Sequence, residues 1–355
     1  MTRTVSLLLF LSLAAGGVSP QDASPDALMD AGHWKRARSI VEPRARQKPD
    51  DAELAYQLSR IRLAFGDAEA SQKLAEQALA KDDKNARYHY QVAEASIAQT
   101  DGAGMFKALS LSRRARQEWQ AAISLDPKYV EPRASLAEFY AQAPGIAGGD
   151  KEKARTMAEE VAALDAVQGF LERATLAALE KQRDQAARFY EEAVKAGPRN
   201  YRALTAAAGF FALGPEKQCE LAQKFARDAL ALDGGRSAAY AMLASCAAHE
   251  QNWKELDSVL AQSEKSVSDD FSAFYQAGKT LLLDQKDFQR AEAYFRKYLS
   301  QEPEGNAPDL AAGHWRLALV LEKEGRKPDA VTELEAALKL KPNFEEAKKD
   351  LKRLR

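Results

Sequence analysis

Cysteine and histidine are scarce in this chain of 355 residues, with two of the former and four of the latter. The histidines, His33, His89, His249 and His314, are too scattered to read as metal ligands. Cys219 and Cys246 stand 27 residues apart, a spacing that fits neither a zinc knuckle nor a CxxC redox pair. An excess of one charge is also missing. Lys and Arg number 51 and Asp and Glu 52, a net charge of −1 that argues against a dedicated nucleic-acid binder. The two signs are mixed along the chain, so no polybasic membrane patch forms. There is no Ser/Gly linker, charge block or low-complexity tract to mark a domain boundary, although length alone suggests two or three domains. No nucleophile elbow, Ser/His/Asp order or paired-carboxylate arrangement stands out, and the expectation is a protein that is not an enzyme and needs no cofactor.

Long apolar runs are absent but for one, Val5–Ala15, which follows the basic Arg3 and precedes the small residues of GGVS. It is too short to span a bilayer and reads as a signal peptide over residues 1–19, with cleavage after Gly17 or Ser19. The expected location is therefore exported, periplasmic or secreted, with no stable membrane insertion after cleavage.

What the sequence does have is a repeat. In AARFYEEAVKAGP, Ala186, Tyr190 and Ala193 fall on one helical stripe and Pro198 ends the run. The same quartet, whole or degraded, occurs nine times, as in Ala115, Trp119, Ala122 and Pro127, in Ala291, Phe295, Tyr298 and Pro303, and in Ala330, Leu334, Ala337 and Pro342. Successive end positions are 34, 44, 39, 32, 36, 34, 35 and 39 residues apart. A 34-residue period of helix–turn–helix units is the tetratricopeptide signature.

On these quartets, and on turn pieces such as Gly66-Asp67 and Gly325-Arg326, residues 24–342 resemble a tetratricopeptide repeat (TPR) protein of the exported bacterial type. The resemblance implies an all-α, TPR-like α-solenoid, a right-handed superhelix of about nine helix pairs. Small quartet residues let neighbouring helices approach and bulky ones fill the gap. Residues 343–355, polar and Lys-rich, read as a capping helix with Phe344, Ala347, Leu351 and Leu354 inward. In the sixth repeat helix A is expected over Tyr201–Ala212 and helix B over Glu216–Leu232, and Trp119, Tyr190 and Phe295 are expected in the core.

Irregular intervals locate insertions. No breaker follows Gly104, which predicts a lengthened helix over Met105–Leu125, about 30 Å long. The loop Ala143–Asp150 (APGIAGGD) and the segment Glu304–Pro308 are the other two. The loop glycines and nearby Lys151 and Lys153 suggest an anion site, but the pattern is no P-loop, and Asp150 reads better as a helix N-cap. Lys107, Arg113, Arg114 and Arg116 read as a solvated helix face.

Helix A of each unit should supply the concave surface. The candidate partner-binding residues are Arg87, Tyr90, Glu94, Glu131, Glu138, Arg202, Thr205, His249, Tyr275 and Lys279. They include no Lys/Asn set of the kind by which some TPR domains hold a C-terminal carboxylate. Cys219 and Cys246 lie nearly level across one helix pair, as a disulfide or as two separate buried thiols. The function expected is a non-enzymatic scaffold of the periplasm or cell envelope that binds a protein or peptide partner. The alternative is an envelope or exopolysaccharide assembly factor.

Overall fold

The structure is a computed structural model that describes residues 23–355 apart from residues 215 and 306. The expected signal peptide lies outside the described residues. Among those described, nineteen α-helices follow one another: α1 (Pro25–Ala31), α2 (Trp34–Gln47), α3 (Ala52–Ala64), α4 (Ala68–Lys81), α5 (Ala86–Ala98), α6 (Met105–Leu125), α7 (Glu131–Gln142), α8 (Lys151–Leu164), α9 (Ala166–Leu179), α10 (Arg183–Ala196), α11 (Tyr201–Leu213), α12 (Cys219–Leu232), α13 (Ser237–His249), α14 (Trp253–Ser266), α15 (Ser272–Leu283), α16 (Phe288–Tyr298), α17 (Leu310–Lys323), α18 (Lys327–Leu340) and α19 (Glu345–Leu354). One 3-10 turn, Gly145–Ala147, precedes α8, and no strand occurs among the described residues.

Local chemistry sets the helix starts. Asp51, Asp67, Asp150, Asp165, Asn200 and Asp309 each accept a hydrogen bond from a first-turn amide that has no partner within its helix. The reversals within pairs need a left-handed residue. Gly66 (φ +80°) and Gly325 (φ +79°) adopt it without strain, whereas Lys181, Gln251 and Gln285 occupy it with a side chain.

The helices pair as α1/α2, α3/α4 and so on to α17/α18, with α19 covering the last pair. Odd-numbered helices also pack on the next odd-numbered helix, as α11 on α13 and α13 on α15. Even-numbered helices make no comparable contact with one another among the described residues. Crowding the odd helices together bends the stack, so they form its concave wall. The quartets are the glue: Ala115, Ala122, Ala186, Ala193, Ala330 and Ala337 are fully buried, as are the bulky Phe295 and Leu334. Tyr190 departs from its expected place in the core. It is half-buried and packs its ring 4.8 Å from Phe210. Helix α12 begins at Cys219 rather than Glu216, because the Gln218 amide donates back to the Phe211 carbonyl and delays the next helix.

The stack curves far enough for its beginning to meet its end. Arg36 makes two hydrogen bonds with Asp269, at 2.7 and 2.9 Å, and the Lys35 ammonium donates to the Asp269 carbonyl at 2.6 Å. The Lys35 amide donates to Glu304 at 2.5 Å, and Arg38 pairs with Glu302 at 2.7 Å. Trp34 lies against Gly305 so closely that a Cβ there would come within 2.7 Å of its Nε1. The Glu304–Pro308 insertion is thus where the seam is made. Glu304 is only 4% exposed, and burial raises its pKa to about 7.

Candidate partner-binding surface

The other two insertions converge on one place. Met105 to Ser112, the added turns of α6, face the 3-10 turn of the Ala143–Asp150 loop across a cavity of about 510 Å³. Ile97, Leu109, Trp119 and Phe139 give it apolar walls, and Glu94, Ser135 and Glu138 supply its polar groups. Glu94 Oε1 accepts hydrogen bonds from Trp119 Nε1 and the Ser135 hydroxyl, both at 2.9 Å. Glu94 and Glu138 form no ion pair among the described residues; desolvation raises the pKa of both, and at Glu138 the more distant Arg202 opposes the rise.

The rim is apolar and open. The lining residues Ile146 and Met105 are 78% and 68% exposed, and only Phe106, next to Met105 on α6 but outside the lining, is a more exposed large apolar side chain among the described residues. The loop that carries Ile146 has a fixed shape. Gly148 holds φ +101°, and a Cβ there would meet the Arg116 guanidinium at 2.7 Å. At Gly149 a Cβ would lie 1.7 Å from the Ala143 carbonyl oxygen, so glycine is required. The Asp150 amide donates to the Tyr140 carbonyl, and the Asp150 carboxylate accepts from the Glu152 and Lys153 amides. That carboxylate fills the N-terminus of α8, where an anion would otherwise sit.

The structure gathers some of the sequence candidates and disperses others. Tyr90 meets the Ser135 hydroxyl at 3.4 Å and the Tyr129 ring edge-on, which links it through Ser135 to Glu94, while Glu94 and Glu138 themselves line the cavity. Glu131 is exposed in the first turn of α7. Arg87 is occupied: it pairs with Asp26 and Glu53 and stacks 4.5 Å from the Tyr56 ring centre. Arg202 and Thr205 line a separate cavity of about 560 Å³ that Asp30 and Arg236 close. His249 is tied to Asp284 at 2.5 Å, and Lys217 holds the same carboxylate at 3.2 Å. Lys279 is half-buried, with its pKa lowered by desolvation and by Arg316. Tyr275 does not belong to the exposed set. It is 4% exposed and packs between Phe295 and Tyr298, because α15 is sandwiched between α13 and α16.

Sequence reasoning misses one inner-wall residue. Glu172 on α9 is 2% exposed, Gln168 donates to its Oε1 at 2.5 Å, and its Oε2 has no partner among the described residues. Burial pushes its pKa up to about 6, and the nearby Glu138 adds to the rise. The available signal is its spacing: from 138 to 172 is 34 residues, one repeat period. Glu94, Glu138 and Glu172 so mark an acidic strip along helices α5, α7 and α9. The two thiols are free and buried, and the neighbouring Cys219 together with burial raises the Cys246 pKa.

No family model and no curated protein matches the sequence. Solved structures do. Yeast Tom70 is 14% identical with a TM-score of 0.51, over 93% of this chain and 79% of that one. The TPR protein TTC0263 of Thermus thermophilus is 19% identical with a TM-score of 0.47, over 52% of this chain and 94% of that one. A TPR protein of Parabacteroides merdae is 14% identical with a TM-score of 0.43, covering 85% of this chain and 98% of that one. The nine stacked pairs make this chain an all-α, TPR-type solenoid.

Proposed function

We propose that this protein is an exported, non-enzymatic scaffold that binds a protein or peptide along its concave wall. The supporting observation is a contrast in how charge is handled. On the outer helices, charges pair with neighbours: Lys73 with Glu69, Arg155 with Glu152, Arg296 with Glu292, Arg326 with Asp329. On the inner wall, Glu94, Glu138 and Glu172 form no ion pair among the described residues, with Arg202 acting on Glu138 and Glu172 only through space; Glu172 is buried while Glu138 is exposed at the surface, a set of carboxylates that a complementary cationic ligand satisfies. A pre-formed wall binds without paying to order itself. The apolar Val5–Ala15 run supports export.

The test compares capture from an envelope extract by the wild-type chain and by a Glu138→Lys, Glu172→Lys variant. A partner recovered by the former and lost by the latter supports the reading. Equal recovery by both, or recovery of a glycan and no protein, overturns it. Fractionation with mass analysis of the mature N-terminus tests export, and an intact Met1 in the cytosol sinks that part.

A further inference from the structure

The cavity between α6 and the Ala143–Asp150 loop has a shape and a charge that together narrow its occupant. Its walls are apolar, and its volume of about 510 Å³ accommodates one or two large side chains. Its carboxylates, Glu94 and Glu138, form no ion pair among the described residues, and Arg202 is close enough only to act on Glu138 through space. Apolar surface does not stop at the cavity mouth: Met105 and Ile146, which line it from opposite sides, stand out into solvent. A small molecule seated inside would leave much of Met105 and Ile146 in water. A polypeptide lying across the mouth would cover them. Extra turns of α6 and a glycine-shaped loop both had to be added to an otherwise regular repeat to build this mouth.

We infer that this cavity is the anchor site for a protein segment bearing a large apolar side chain with Lys or Arg beside it. The apolar group fills the cavity under the Met105 and Ile146 rim, and the cation reaches Glu94 and Glu138. This rests on the scaffold reading and assigns the partner's chemistry. An anionic membrane surface is disfavoured, because the charged groups that line the cavity are carboxylates. The acidic strip through Glu172 continues from the cavity along the wall, so a second basic residue further along the segment finds a carboxylate too.

A set of labelled dodecapeptides tests it, each with Phe, Leu or Met flanked by Lys, Ser or Glu in a Gly-Ser frame. They are titrated by fluorescence anisotropy against the full chain. The Lys-flanked apolar members are expected to bind at least about tenfold tighter than Glu-flanked ones. Met105→Ser with Ile146→Ser, both changes at exposed positions that leave the helical circular dichroism intact, should weaken binding about tenfold or more. Glu94→Gln with Glu138→Gln should erase the preference for Lys over Glu. If Lys-flanked peptides bind but ignore the rim variant, the anchor site is overturned while a peptide-binding wall stands. If every member binds more weakly than about millimolar, both fall. If the rim variant instead abolishes binding to phosphatidylglycerol vesicles while no peptide binds, the face is a membrane contact and the inference fails.

Discussion

The two halves of the stack are held together differently. From Leu204 to Leu354 the buried apolar side chains form one continuous core that includes Phe211, Tyr240, Leu281, Phe295 and Leu334. Before it, the core is broken into separate small clusters, around Trp119, around Ile61, around Tyr56 and around Leu171. Polar contacts bridge the gaps: the Ser59 hydroxyl reaches the Ser71 carbonyl at 2.7 Å, and Gln91 reaches the Ser71 hydroxyl at 3.3 Å. In a solenoid, stability is close to a sum of each unit and its interfaces, so the half with smaller apolar interfaces opens first. That half carries the anchor cavity, and the seam clips its free end to the stronger half. The adaptable part of the molecule is thus the part that presents the binding chemistry.

Substitutions and pH test this contrast at descending scales. The largest effect belongs to the continuous core: Phe295→Ala should cost about 4 kcal/mol, read as a lower denaturation midpoint, with protection lost across α13–α18 together. If loss stays confined to α16, that half is not one unit. Next is the seam. Asp269→Ala removes both Arg36 bonds and should cost about 2 kcal/mol, felt as faster amide exchange in α1–α4 with α11–α18 unchanged. Uniform change throughout would mean that the halves are not distinct.

Seam strength should also follow pH. Glu304 has a pKa raised from 4.5 to about 7, by burial and by Asp269 and Asp270, against the Lys35 amide and ammonium. A raised acid favours the folded, closed form when protonated. Its contribution is complete below about pH 4.5 and is lost as pH rises through 7. Between about pH 6 and pH 8 the N-terminal half should lose about 1 kcal/mol, and Glu304→Gln should flatten that slope. A slope unchanged in the variant would assign it elsewhere. Smaller still, Gln251→Gly should stabilise by roughly half a kcal/mol, since Gln251 holds φ +56° with a side chain. A lower melting temperature would contradict that. The smallest effect is at the exposed Glu69–Lys73 pair, where Lys73→Ala should leave the midpoint unchanged.

Much of the fold was legible because its instructions are local. Offsets of four and seven place Ala186 and Ala193 on one stripe, and both are fully buried. The unbroken run after Gly104 becomes the single helix α6, and Asp150 caps α8. The candidate site was legible only in pieces. Both stretched segments could be seen in the spacing, but not that Met105 and Ile146 would face one cavity. Tyr275 was misplaced because helix A periodicity does not say which residues a neighbouring helix will cover. The seam was invisible: Arg36 and Asp269 are 233 residues apart, and an ion pair at that separation leaves no periodic mark.

The seam also turns repeat number into a constrained quantity. An open solenoid can gain or lose a unit at little cost, since each touches only its neighbours. Here Trp34 must arrive against Gly305, and Arg36 against Asp269, after a fixed contour of intervening helices. Deleting or duplicating any one pair between them would carry the first pair past its counterpart and leave Glu304 without the Lys35 amide. The number of helix pairs between α2 and α16 is therefore set by the closure itself.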